Sequence, residues 1–108
     1  MPKFNCGWPL ETIAMINIQF YSLLRLLLKR EKVELPVSSE NENIGQLLQR
    51  LQQQISTPFL QKLLDEQGEM ILGTIIMLNR RNIHHLQKLE TPVQDGDVVA
   101  LFPPGAGG

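Results

Sequence analysis

The chain has 108 residues, with 10 Lys and Arg against 11 Asp and Glu and a formal charge of −1. That length accommodates one domain, and the near-neutral balance argues against a nucleic-acid binder, whose domain presents a clustered basic face. The single cysteine, Cys6, excludes an intramolecular disulfide framework and a thiolate-only zinc site.

Residues 1–14 hold two prolines and a Gly-Trp pair without periodicity. They read as an N-terminal extension, either poorly ordered or draped on the domain with Trp8 docked. No apolar region of signal-peptide length occurs there, and no stretch approaches the about 20 apolar residues of a membrane span. A reducing cytoplasm is therefore the simplest compartment, with no membrane partner. From residue 15 the pattern sharpens. Ile16, Ile18 and Phe20 alternate with Asn17, Gln19 and Tyr21, the two-residue period of a half-buried strand. Ser22 is placed to cap a short apolar turn over residues 23–28, and Lys29, Arg30 and Glu31 supply a solvated turn. Val33, Leu35 and Val37 then alternate with Glu34 and Pro36. Pro36 has no N–H for a ladder, so this strand belongs at a sheet edge, paired antiparallel with the first.

Ile44, Leu47, Leu48, Leu51 and Ile55 form one apolar helical stripe. Asn43 stands as its N-cap, with Gln46 at the capping-box position. The opposite face, with Gln46, Gln49, Gln52, Gln53 and Gln54, is expected in solvent. A second helix is expected after Thr57, with Pro58 at its first position, Gly68 near its end, and Phe59, Leu60, Leu63 and Leu64 turned inward. Residues 71–78 are apolar on both faces, the mark of a central strand. Asn79 to Asn82 read as a turn, residues 83–89 are weakly patterned, and Thr91-Pro92 and Asp95-Gly96-Asp97 are further turns. Residues 98–102 form a second two-sided apolar strand. The order strand, strand, helix, short helix, strand, strand predicts an α+β domain of the β-grasp type over residues 15–102. Its mixed sheet has the first and last strands central and parallel, packed on one main helix plus a short helix.

The tail carries the chemistry. Pro103 and Pro104 end the last strand, because proline lacks a donor and stiffens the exit. Gly105, Ala106, Gly107 and Gly108 cannot pack a core, so residues 103–108 are expected to form a flexible tail. Six residues reach at most about 20 Å, and a glycine tip enters a channel too narrow for a β-carbon. Other candidates have plainer accounts. His84 and His85 are adjacent, so a strand would point them to opposite faces, and no metal site is assigned. Cys6 has no His or CxxC partner nearby and reads as an inert thiol. Asp95 and Asp97 flank a glycine as turn formers, and Arg80, Arg81 and Lys88 read as a solvated basic face before they read as a groove contact.

The run from Asp95 to Gly108, with Val98 to Phe102 followed by Pro103-Pro104 and ending Gly107-Gly108, resembles the C-terminus of the MoaD/ThiS family of ubiquitin-like sulfur carriers. It is nearest to the branch of the molybdopterin synthase small subunit. Phe20-Tyr21-Ser22-Leu23-Leu24-Arg25 is similar to that branch's aromatic pair, small residue and Leu-Arg, and Asn79 with Ile83 is similar to the family's Asn-containing turn. The resemblance implies a carrier rather than an enzyme, with no bound cofactor. A MoeB/ThiF-like activating enzyme would adenylate the Gly108 carboxylate with its own ATP, and a sulfur donor would convert it to a thiocarboxylate. That sulfur would pass to the molybdopterin synthase large subunit or another acceptor enzyme. Phe102 and Arg25 match positions that face partners. The chain departs from the family in its extension, in an insertion around residues 56–70, and in Arg81, which stands where a turn glycine is common. A thiamine-type carrier, a ubiquitin-like modifier joined to lysines, and a plain β-grasp interaction module are the alternatives.

Overall fold

A computed structural model of the protein describes residues 15–38 and 41–104. Five strands form one mixed sheet: β1 (Ile16–Phe20), β2 (Lys32–Leu35), β3 (Ile75–Leu78), β4 (Arg81–Asn82) and β5 (Val98–Phe102), in the order β2-β1-β5-β3-β4. The first and last strands lie side by side and parallel, with Ile18 opposite Val99 and Phe20 opposite Leu101. Strand β2 is an antiparallel edge, and Pro36 follows immediately after it, where no ladder donor is needed. The β-grasp expectation therefore holds for the sheet.

Alternation divides the sheet into two faces. Ile16, Ile18, Phe20, Ile76, Val99 and Leu101 are fully buried and meet helix α2 (Ile44–Gln54) through Ile44, Leu47, Leu48 and Leu51. Local signals set the start of this helix. The Asn43 carboxamide oxygen accepts the Gln46 N–H at 2.8 Å, and the Gln46 side chain accepts the Asn43 N–H at 3.1 Å. Among the described residues, no helix is long and apolar enough to cross a membrane.

The short helix lies elsewhere than expected. Residues 57–68 contain only a 3-10 turn at Leu60–Lys62, and Thr57 caps nothing. Gln52 stands in for the expected Thr57 cap and is not a solvated residue of the helix's polar face. Its oxygen accepts the N–H groups of Phe59 and Leu60, both at 2.9 Å, and its amide donates to the carbonyls of Ile55 and Thr57. A side chain from α2 thus satisfies the N–H groups that a Thr57 cap would have satisfied. Phe59, Leu63 and Leu64 still turn inward as expected, with Leu60 partly buried against the core. The true short helix is α1 (Leu23–Leu28), read from sequence as a turn. It buries Leu24 and Leu28, four residues apart, and stops where Lys29 turns left-handed at φ 58°. Ser22 precedes it without a capping hydrogen bond from its hydroxyl.

Residues 71–78 divide as well: Gly73 takes φ 95° in a turn, and only Ile75 to Leu78 join the sheet. The β3–β4 connection is a two-residue hairpin with Leu78 opposite Arg81, and Asn79 and Arg80 are both left-handed at φ 53° and 71°. The turn-glycine position is therefore occupied by Arg80, not by Arg81, which lies in β4. A non-glycine residue held there costs about 1–2 kcal/mol, so Arg80→Gly should stabilise the domain by about 0.5–1 kcal/mol after the entropy it adds to the unfolded chain. Urea denaturation measures this, and a lower midpoint for the variant would contradict it.

Among the described residues, an ion pair between Glu42 and Arg50 fastens the segment after β2 to α2. The Glu42 carboxylate, 2% exposed, accepts two hydrogen bonds from Arg50 at 2.9 and 3.0 Å and one from the Ser38 N–H at 3.1 Å. Arg50 also donates to the Pro36 carbonyl. Burial by itself raises the Glu42 pKa, but the hydrogen bonds from Arg50 and Ser38 and the charge of Arg50 outweigh it and hold the carboxyl below its ordinary value. A depressed folded value means this stabilisation is present above the ordinary glutamate value of about 4.3 and is lost as pH falls through the folded one. Glu42→Gln should cost about 1–3 kcal/mol at neutral pH. The gap from the parent should narrow in acid, as read by urea melts at pH 7 and pH 3, and an unchanged gap would exclude the assignment.

Candidate functional site

The last strand delivers the chain to one end of the sheet. Pro103 is buried and Pro104 half-buried directly after Phe102, which fixes where and in what direction the tail departs. Gly105, Ala106, Gly107 and Gly108 lie outside the described residues, as do the extension 1–14 and Cys6.

Beside this root, on the sheet face turned away from α2, two aromatic rings stack. Tyr21 and Phe102 have centroids 4.5 Å apart and planes 9° from parallel. Parallel pairing of β1 and β5 brings them together: the Tyr21 N–H continues the ladder by donating to the Leu101 carbonyl at 3.1 Å. The Tyr21 hydroxyl donates to the Gln19 side chain at 2.8 Å. Arg25, from α1, places its guanidinium carbon 5.5 Å from the Tyr21 centroid and donates from Nε to the Phe20 carbonyl at 3.3 Å. Phe102 and Arg25, the two residues named from sequence as partner-facing, thus both lie against the Tyr21 ring. The stack forms one end of a shallow depression of about 560 Å³ that runs past Met77, Ala100 and Val98 to Asn79 and Arg80.

Tyr21 is the residue that sequence reasoning missed as part of this surface. Its alternation phase put it on the outer face, but only the β1–β5 pairing shows that it meets Phe102. The aromatic pair Phe20-Tyr21 is split by the pleat. Phe20 is wholly buried and meets Phe59 edge-on at 6.1 Å, while Tyr21 faces outward.

The remaining candidates have structural roles. Asp95 accepts the Val37 N–H, and Asp97 accepts from the Asn79 side chain at 3.0 Å and from the Gln94 N–H at 2.8 Å. Asn79 in turn accepts the Val98 N–H at 2.9 Å, so the turn residues pin the start of β5. Gly96 between them takes φ 93°, a conformation that L side chains resist. His84 and His85 lie in a 3-10 turn (Ile83–His85) rather than on a strand. Among the described residues, no three His, Cys, Asp or Glu side chains converge as a metal site would require. Arg80 lines the sheet depression, while Arg81 and Lys88 are exposed elsewhere.

Comparison with known proteins places these features. The ThiS family model matches residues 18–108. A putative sulfur carrier protein of Archaeoglobus fulgidus is 36% identical over 75 residues, covering 69% of this chain and 84% of its own. Small archaeal modifier protein 3 of Haloferax volcanii is 28% identical over 93 residues, 86% of this chain and 98% of its own. The solution structure of the Haloferax volcanii HVO 2177 protein superposes with a TM-score of 0.70 at 27% identity, covering 88% of this chain and 87% of that one. With the parallel β1–β5 core and the match running through the diglycine, the chain belongs to the ThiS family, within the ubiquitin-like sulfur carriers and modifiers.

Proposed function

We propose that the chain carries sulfur as a thiocarboxylate on Gly108. The observation that carries this reading is the exit of the chain. A strand buried in mid-sheet runs into two prolines and then into a diglycine to which the family match extends. A free α-carboxylate has a pKa of about 3.3–3.7 and is an ionised, unreactive acyl group at neutral pH. An ATP-dependent activating enzyme of the MoeB/ThiF kind therefore first joins it to AMP, releasing pyrophosphate. A sulfur donor then attacks the acyl carbon, AMP leaves, and the thiocarboxylate forms. The chain supplies the acyl group and the docking surface, with Phe102 and Arg25 facing the partner and Pro103 and Pro104 aiming the tail.

The likeness of the Phe102-Pro103-Pro104 exit to the molybdopterin synthase small subunit favours molybdenum or tungsten cofactor synthesis, with the synthase large subunit as acceptor. Pyrophosphate release by an activating enzyme should depend on the concentration of this chain. No release with any activating enzyme encoded beside it would overturn the proposal. The similarity to small archaeal modifier protein 3 supports a second reading, in which a lysine amine rather than sulfur displaces AMP. Isopeptide adducts in place of a thiocarboxylate would select it.

A further inference from the structure

Helix α1 is apolar all round: its six residues are five leucines and Arg25. A helix of that composition is normally buried on every side, yet only Leu24 and Leu28 are. Leu26 is 72% exposed, Leu23 53% and Leu27 37%. These side chains form a groove of about 540 Å³ with Ile71, and its far wall is Pro103 and Pro104, the root of the tail. Leu72, 97% exposed, lies at the same end of the sheet, since three residues later Ile75 pairs with Phe102. Among the described residues, Lys62 is the one charged residue lining the groove. The groove shares no lining residue with the depression that holds the Tyr21–Phe102 stack.

The tail fixes what must cover this groove. Four residues follow Pro104, and they span at most about 14 Å. An enzyme that takes the Gly108 carboxylate into its active site must bring its surface within that distance of Pro104, and hence onto the leucines beside it. We infer, resting on the carrier function proposed above, that the α1 groove is a second docking surface for the activating enzyme. Its occupant is an apolar, uncharged rim of the channel that receives the tail, so the partner grips the tail root from both sides. Water is expelled from Leu23 and Leu26 only when the tail is seated, which couples docking to correct threading.

The test is pyrophosphate release by the MoeB/ThiF-like enzyme, with ATP, as a function of the concentration of the full chain. Leu26→Asp and Leu26→Lys are compared with the parent, and Gln49→Glu, on the exposed face of α2, serves as the control. Melting curves establish that each variant is folded; Leu26 contributes little to the core, so both are expected to melt with the parent. An apolar occupant predicts that both Leu26 variants raise the apparent KM for the chain about tenfold or more, while kcat and the Gln49 control stay unchanged. Opposite effects of Asp and Lys would overturn the apolar rim in favour of a charged one. Unchanged KM in both would overturn the groove while leaving the carrier function intact. Absence of release with the parent chain would overturn that function and this inference together. An effect of Leu26→Asp only when residues 1–14 are present would make the extension the occupant. A dimer in sedimentation that Leu26→Asp dissolves would make it a second copy, and either result would overturn the enzyme rim.

Discussion

Deleting Gly108 is expected to abolish thiocarboxylate formation, with loading falling below detection, while the thermal melt stays at the parent value. The size of the effect follows from what the chain contributes. Under the proposed function the reaction runs through the acyl carbon of Gly108 and asks no chemistry of a side chain of the described domain. Removing one glycine withdraws that carbon by about 3.3–3.6 Å, more than the tolerance of a near-attack geometry. It also puts the carboxylate on Gly107, so any loss reflects reach and fit rather than the lack of an acid. Stability should not change, because the last core residue of β5 is Leu101 and the last buried described residue is Pro103, both well ahead of Gly108. Intact-mass measurement after incubation with the activating enzyme, ATP and a sulfur donor checks this. A truncated chain that loads at the parent rate would contradict it.

The largest effect on stability is expected at Phe20. Its side chain is wholly buried between α2 and the sheet, and its ring meets Phe59 edge-on. Phe20→Ala should cost about 3–5 kcal/mol, combining lost transfer energy with a cavity that rigid strands close poorly. For a domain of this size, that is a large share of total stability. The neighbouring Tyr21→Ala should cost less, since Tyr21 is only half-buried on the outer face. Urea denaturation of the two variants should rank them in that order. Equal losses would mean the pleat does not divide the two aromatics as described.

What was legible in the sequence followed from local codes. Asn43 and Gln46 close a capping box within one turn, and the stripe from Ile44 to Leu51 needs nothing beyond its own spacing to define an inward face. The alternation of Ile16, Ile18 and Phe20 likewise marked a buried face, whereas the expected second strand through Val37 stops at Leu35 and leaves Pro36 just outside it. The misread parts were decided by distant groups. Nothing near Thr57 reveals that Gln52, on the preceding helix, will take the backbone groups of Phe59 and Leu60. Nothing near Tyr21 reveals Phe102, which arrives only when the last strand pairs with the first. Helix α1 lies between these cases. Its good helix formers were present, but with leucine on every face its period could not show which side is buried. At the hairpin, the register Leu78 to Arg81 decides that Arg80 occupies the left-handed position, a one-residue matter that composition does not resolve.

The proposed reacting end is contiguous in sequence, two prolines and then a diglycine, and its part after Pro104 lies outside the described residues. The surfaces flanking its root are assembled from β1, α1, β5 and the turn before β3, so they exist only in the folded chain.

Sulfur carried on Gly108 should be visible in the intact mass of the unaltered chain after incubation with its activating enzyme, ATP and a sulfur donor. The mass should rise by the difference between one sulfur and one oxygen, a change placed on Gly108 by fragmentation and absent when ATP is withheld. A chain that is adenylated yet never gains sulfur, or that appears only as isopeptide adducts on lysines, would contradict it.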